Sequence, residues 1–202
     1  MEKDGYRMDG FERRRQEKKR AILAAAHDLF NQYGFDKVNV SEIAKQAHVS
    51  KVSIYNFYKS KENLRREIMK GVMDEGLEKL KALVLVNKPF MEKIPEYINL
   101  GINFNINYNI EFFFDAVDSD RILKKYFDDY LKKHTELLFA FIEEGKKEGY
   151  FEASISNKAI ILYIEMFQSY FLNNKSIRKE LEIDSDLAKE VHLLFFDGLI
   201  RN

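Results

Sequence analysis

The chain has 202 residues, 46% hydrophobic and 33% charged, with 33 basic side chains balanced by 33 acidic ones. This suits a globular protein of one or two domains. The lack of cysteine excludes disulfides, thiolate catalysis and cysteine-ligated metals, and agrees with a reducing compartment.

No stretch approaches the ~18 apolar residues of a membrane span. No apolar segment of a secretory signal opens the chain. A cytoplasmic protein with no membrane contact is expected. The balanced charge conceals an asymmetry. Residues 1–61 carry 13 Lys and Arg against 8 Asp and Glu, a net of +5, which leaves −5 for the remainder. A basic N-terminal third on an acidic body suggests that the first third meets a polyanion.

In chain order, "MEKDGYRMDG" lacks periodicity and holds two glycines, so a flexible basic arm is expected over 1–12. A helix follows. Ile22, Ala25, Ala26, Leu29, Phe30 and Tyr33 form one apolar stripe, and Gly34 is a suitable stop. The helix opens with Arg13, Arg14, Arg15, Lys18, Lys19 and Arg20. These oppose the helix dipole, so a role other than helix stability favours them there. Either a solvated arm or a groove contact accounts for them.

Asn39 and Glu42 have capping-box spacing ahead of a short helix with Ile43, Ala44 and Ala47 on its inner face. Ser50 can cap a second short helix, and Ser60 a third that runs to about Val86. Two short helices joined tightly at His48-Val49 form a helix-turn-helix, with small Ala44 at the crossing and Ile54 anchoring the second helix. Lys51, Ser53, Tyr55, Asn56, Lys59 and Lys61 are left to face outward or flank it. Such side chains suit phosphates and base edges.

The stretch "ILAAAHDLFNQYGFDKVNVSEIAKQAHVSKVSIYNFYKSKENL" resembles the N-terminal signature of the TetR family of one-component transcriptional regulators. The matching positions include Gly34, Phe35, Val40, Ile43, Ala44, Val49, Lys51, Tyr55, Lys61 and Leu64. Three positions depart from the usual pattern: His48 for a turn glycine, Val52 for a small residue, and Phe57-Tyr58 for Tyr or His followed by Phe. The resemblance implies an all-α protein of about nine helices. A three-helix DNA-binding head over 13–60 would join a helical effector-binding and dimerisation body over 61–202.

Carried over by residue, Lys51, Val52, Ser53 and Asn56 would meet base edges. Tyr55 and Lys61 would hold phosphates, with Tyr58 as a further phosphate contact. Asn39 and Ser50 would stand at the same surface, and Arg13, Arg14 and Arg15 near the DNA backbone or a minor groove. The function implied is that of a homodimeric repressor on a palindromic operator, relieved by a small effector. The lack of an obvious buried cation or anion partner in the sequence points to a neutral or lipophilic one. The rival is a helical adaptor or architectural protein with no effector.

No nucleophile elbow or glycine-rich phosphate loop appears, which argues against an enzyme. His27, His48, His134 and His192 are scattered, so neither a metal site nor a cofactor is expected. Two C-terminal helices, about 157–173 and 185–200, are apolar on more than one face. Ile160, Ile164, Phe167, Phe171, Val191, Leu194 and Phe195 are therefore expected at a dimer interface, as in the family.

"GINFNINYNIEFFF" (101–114) alternates like a strand, yet a lone strand in a helical body would leave its backbone groups unpaired. On a helix it resolves into stripes at i+4, with a break near 107–109. That places Asn103 and Asn107 as polar handles of a pocket wall, with Phe104, Tyr108, Phe112 and Phe167 as its lining.

Overall fold

The computed structural model describes residues 10–108 and 110–174, together with scattered positions from 176 to 194. Within these ranges the side chains of 102, 105–107, 110–111, 167–168 and 171–173 are not described. Among the described residues the protein has eight helices and no strand: α1 Gly10–Tyr33, α2 Val40–Gln46, α3 Lys51–Tyr58, α4 Lys61–Leu85, α5 Phe90–Asn107, α6 Ile110–Asp118, α7 Arg121–Lys147 and α8 Asn157–Asn173. The all-α expectation holds, and the break expected near 107–109 falls between α5 and α6. Of the ninth helix expected over 185–200, most lies outside the described residues.

The helices divide into two units. One comprises Met1–Val72 with Asn109–Lys125, the other Met73–Tyr108 with Tyr126–Asn202. α4 and α7 each contribute residues to both.

In the first unit α1 ends where Gly34, at φ +83°, turns the chain and donates its amide to the Phe30 carbonyl. Ile22, Ala26 and Phe30 of α1 are buried with Ile43, Ile54, Leu64 and Ile68. Phe35 meets the Phe30 ring edge-on at 5.2 Å, and Phe112 of α6 lies 6.2 Å from it.

The second unit is built on Phe90, which has no exposure. Its ring centroid lies 4.8, 5.5 and 5.3 Å from those of Phe141, Tyr150 and Phe151. Leu80, Leu83, Ile94, Leu138 and Ile142 extend this core, and Ile160 and Ile164 of α8 join it as α8 lies against α5. Gly145 makes room for the rings: a Cβ there would stand 2.6–2.7 Å from ring atoms of Phe90 and Phe151. Lys93, only 2% exposed, donates to Glu144 at 2.7 Å and to the Val84 carbonyl at 3.2 Å. The buried ammonium is thereby paired and hydrogen-bonded, which its desolvation requires.

Candidate nucleic-acid interface

The first unit presents two short helices whose caps come from side chains. Asn39 Oδ1 accepts the amides of Ser41 and Glu42 at 2.9 and 3.2 Å, and Glu42 returns the favour to the Asn39 amide at 2.8 Å. This is the capping box read in the sequence. Ser50 Oγ accepts the Ser53 amide at 3.1 Å and starts α3. Between them the Val49 amide reaches the Ala44 carbonyl at 3.0 Å, and His48 adopts φ +52°. The turn therefore uses the left-handed conformation that glycine tolerates best.

That turn sets which side of α3 points outward. Ile54 and Tyr58, four apart, are buried. Lys51, Val52, Tyr55 and Asn56 are exposed on the other side, Val52 at 65%. Ser53 is half-buried, and its hydroxyl shares a 2.9 Å hydrogen bond with that of Ser50. Five of the residues expected at DNA thus lie on or beside one surface. Asn39 and Ser50 stand exposed at the starts of their helices with side-chain oxygens engaged in capping.

Two of the expected phosphate contacts have their polar atoms engaged within the fold. Tyr58 is buried, and its hydroxyl donates to the Lys19 carbonyl at 3.2 Å. Burial, with the nearby Glu67 charge adding to it, pushes the phenol up to about 12. Lys61 Nζ donates to the Phe35 and Val38 carbonyls at 2.7 and 2.8 Å and sits 4.1 Å from the Phe35 ring centroid. Both groups are thus engaged within the first unit.

α1 carries Arg13, Arg14 and Arg15 exposed. Arg13 pairs with Glu17 at 3.6 Å and Arg15 with Glu12 at 3.5 Å. These are one-turn pairs at the surface, worth little in water. Phe57 was legible only as an apolar replacement on α3. Its ring in fact lies 5.9 Å from both the Arg15 guanidinium and the Lys19 ammonium.

In the second unit Phe104 and Tyr108 come together, with ring centroids 5.0 Å apart. Asn103 lines a groove of about 440 Å³ with Lys79, Leu83, Asn99 and Leu100. Burial, then the nearby Glu75 charge, raises the Tyr108 phenol, with Lys79 opposing. Phe112 belongs instead to the first unit, against Phe30. The Asn107 and Phe167 side chains lie outside the described residues.

The expected dimer-forming set is also corrected in part. Ile160 and Ile164 are spent in the core of their own chain. The apolar residues that α8 exposes are Leu162, Met166 and Tyr170, spaced i, i+4, i+8. Leu194 is exposed and Val191 half-buried, while Phe167, Phe171 and Phe195 fall outside the described side chains. Among the described residues no group of three or more His, Asp or Glu could hold a metal ion, and no helix is long and apolar enough to cross a membrane.

Comparison with known proteins agrees with this geometry. Residues 22–68 match the family described as bacterial regulatory proteins, tetR family. The chain is 40% identical over 83 residues to the HTH-type transcriptional regulator RutR of Escherichia coli strain K12, covering 41% of this chain and 39% of that protein. It thus spans about two fifths of the length of that relative. Its fold is similar to that of the fatty acid degradation regulator FadR from Bacillus halodurans, with a TM-score of 0.62, 24% identity, and coverage of 91% and 97%. It is also similar to the ketosteroid transcriptional regulator KstR2 of Mycobacterium tuberculosis, with a TM-score of 0.65, 16% identity, and coverage of 92% and 96%. The capped helix-turn-helix falls within residues 22–68, the stretch that matches the tetR family of bacterial regulatory proteins, and the fold is similar to that of solved transcriptional regulators.

Proposed function

We propose that the protein regulates transcription by binding duplex DNA as a homodimer through α3. The observation that carries this reading is the outward face of Lys51, Val52, Tyr55 and Asn56 on a helix fixed by Ser50 and the His48 turn. Lysine suits guanine or phosphate, asparagine suits adenine, and an apolar side chain suits the thymine methyl. The exposed Leu162, Met166 and Tyr170 stripe favours a second copy of the chain as the partner of α8. A two-fold dimer would present two recognition helices about 34–36 Å apart to a roughly palindromic operator.

The finer reading is a repressor released by a small effector bound in the second unit. Such an effector acts only by binding the released state better than the DNA-bound one. A lipophilic effector is favoured by the aromatic content of that unit. It is favoured also by the fatty-acid and ketosteroid regulators whose fold this chain shares. One observation supports the rival adaptor reading. Phe90, Tyr97, Phe141 and Phe151 pack on one another and fill the centre of the second unit.

Titration of purified protein onto the DNA upstream of its own gene tests the first reading. Salt-sensitive binding is expected, and its absence would refute DNA regulation. A thermal-shift screen with acyl compounds and steroids tests the second. Hits that leave DNA binding unchanged would favour the adaptor.

A further inference from the structure

The buried stripe of α1 runs through Ile22, Ala26 and Phe30. Continued toward the N-terminus, the same face carries Lys19 and Arg15, three and seven residues before Ile22. The stripe changes from apolar to cationic within one helix. What it meets at the change is α3. Arg15 and Lys19 each approach the Phe57 ring to 5.9 Å, within the range in which an aromatic face attracts a cation. The next residue, Tyr58, holds the backbone of that same turn through the Lys19 carbonyl. Two consecutive aromatics of α3 therefore grip one turn of α1, Phe57 by its side chains and Tyr58 by its main chain.

We propose that Phe57 is a positioning residue that holds Arg15 and Lys19 as a fixed cationic ridge beside the recognition helix, so that α1 is a second phosphate-binding element. The proposal rests on the DNA-binding reading above. Phe57 has no polar atom to offer a phosphate, and its contribution passes through the two cations it carries. Long cationic side chains lose rotamer freedom when they bind, and those already laid along a ring lose less. The competing carboxylate, Glu12, is half-buried, accepts from Gln16 at 2.7 Å and holds Arg15 at 3.5 Å, and a phosphate can replace it at Arg15.

Fluorescence anisotropy would compare wild type, Phe57→Leu, Phe57→Tyr and the Arg15→Gln/Lys19→Gln double variant. The probes are a duplex of about 40 base pairs from upstream of the gene and a random duplex of equal length. Phe57→Leu is expected to weaken binding about 5- to 20-fold and to flatten the log–log salt slope by roughly one to two units, about 0.9 per lost phosphate contact. Phe57→Tyr, which keeps the ring face, restores the wild-type slope. The double variant flattens the slope to the same extent, and adding Phe57→Leu to it changes little, because the three residues act as one unit. A wild-type slope in Phe57→Leu, or full additivity with the double variant, overturns the proposal. Should Phe57→Leu fail to fold, the double variant decides alone: an unchanged slope rules out the ridge. If wild type binds neither duplex in a salt-dependent way, the DNA-binding reading fails and takes this one with it.

Discussion

Nε of Arg66 lies 2.7 Å from Oδ2 of Asp120, a pairing across 54 residues of chain that ties α4 to the start of α7 within the first unit. The other carboxylate oxygen accepts the amides of Ile122 and Leu123 at 3.0 and 3.2 Å, so one buried side chain caps α7 and neutralises Arg66. Burial alone would raise this carboxyl. The Arg66 hydrogen bond and the two amides outweigh it and hold the group below the usual carboxylate range. Its contribution to stability is therefore complete above the unfolded-chain value of ~4 and is lost as pH falls through the depressed folded value. Asp120→Ala is expected to cost about 3–5 kcal/mol in urea unfolding at neutral pH. Asp120→Asn, which keeps a cap acceptor, should cost less and should remove part of the acid-side loss of stability. An unaltered acid limb in Asp120→Asn would contradict this assignment.

Gly145→Ala places a methyl group 2.6–2.7 Å from the rings of Phe90 and Phe151. Alanine gains ~1 kcal/mol of helix propensity over glycine. Overpacking a closed aromatic core costs ~1–3 kcal/mol and is expected to prevail. The melting temperature should fall by a few degrees, and a rise would show that the rings yield freely.

Lys93 separates charge from bulk. Lys93→Ala removes both the partner of Glu144 and the buried stem, with an expected loss of about 3 kcal/mol or more. Lys93→Met keeps the volume and leaves the partly exposed Glu144 to water, with an expected loss below about 1.5 kcal/mol. Equal losses in chemical denaturation would mean that the ion pair, and not the packing, holds this point.

His48→Gly should stabilise the head. The left-handed conformation costs a side-chain-bearing residue ~1–2 kcal/mol, against ~0.5–1 kcal/mol of extra chain entropy for glycine. The net gain of about 0.5–1 kcal/mol should raise the melting temperature by roughly 1–4 °C. A lower melting temperature would mean that His48 makes a stabilising contact in the turn.

On α3, Asn56→Ala is expected to relax sequence discrimination by about 1–3 kcal/mol while leaving the salt slope unchanged. Binding to matched and mismatched duplexes at two salt concentrations checks this. A changed slope with discrimination intact would assign Asn56 to a phosphate instead.

The helices and their inner faces were legible because a 3.6-residue period needs only local information. The Asn39 box, the Gly34 stop and the break after Asn107 are local in the same sense. The expectations that changed all depended on what lies across from a side chain. Tyr58 and Lys61 resemble phosphate ligands until Lys19, Phe35 and Val38 are found within reach, 23 or more residues away in sequence. Ile160 and Ile164 stand on a helix with several apolar faces, and period alone does not say which face meets the chain's own core. The Arg66–Asp120 pair has no signature at either end of its span.

The latch made by Lys61 also bears on chemical reactivity. An amine that donates to two carbonyls and rests on an aromatic face must break those contacts before it can attack an acylating reagent. Lys51, exposed at the start of α3, has no such step before it. Brief acetylation of the folded protein should therefore mark Lys51 first and Lys61 late. The order in which lysines react would then report, amine by amine, whether the head is closed.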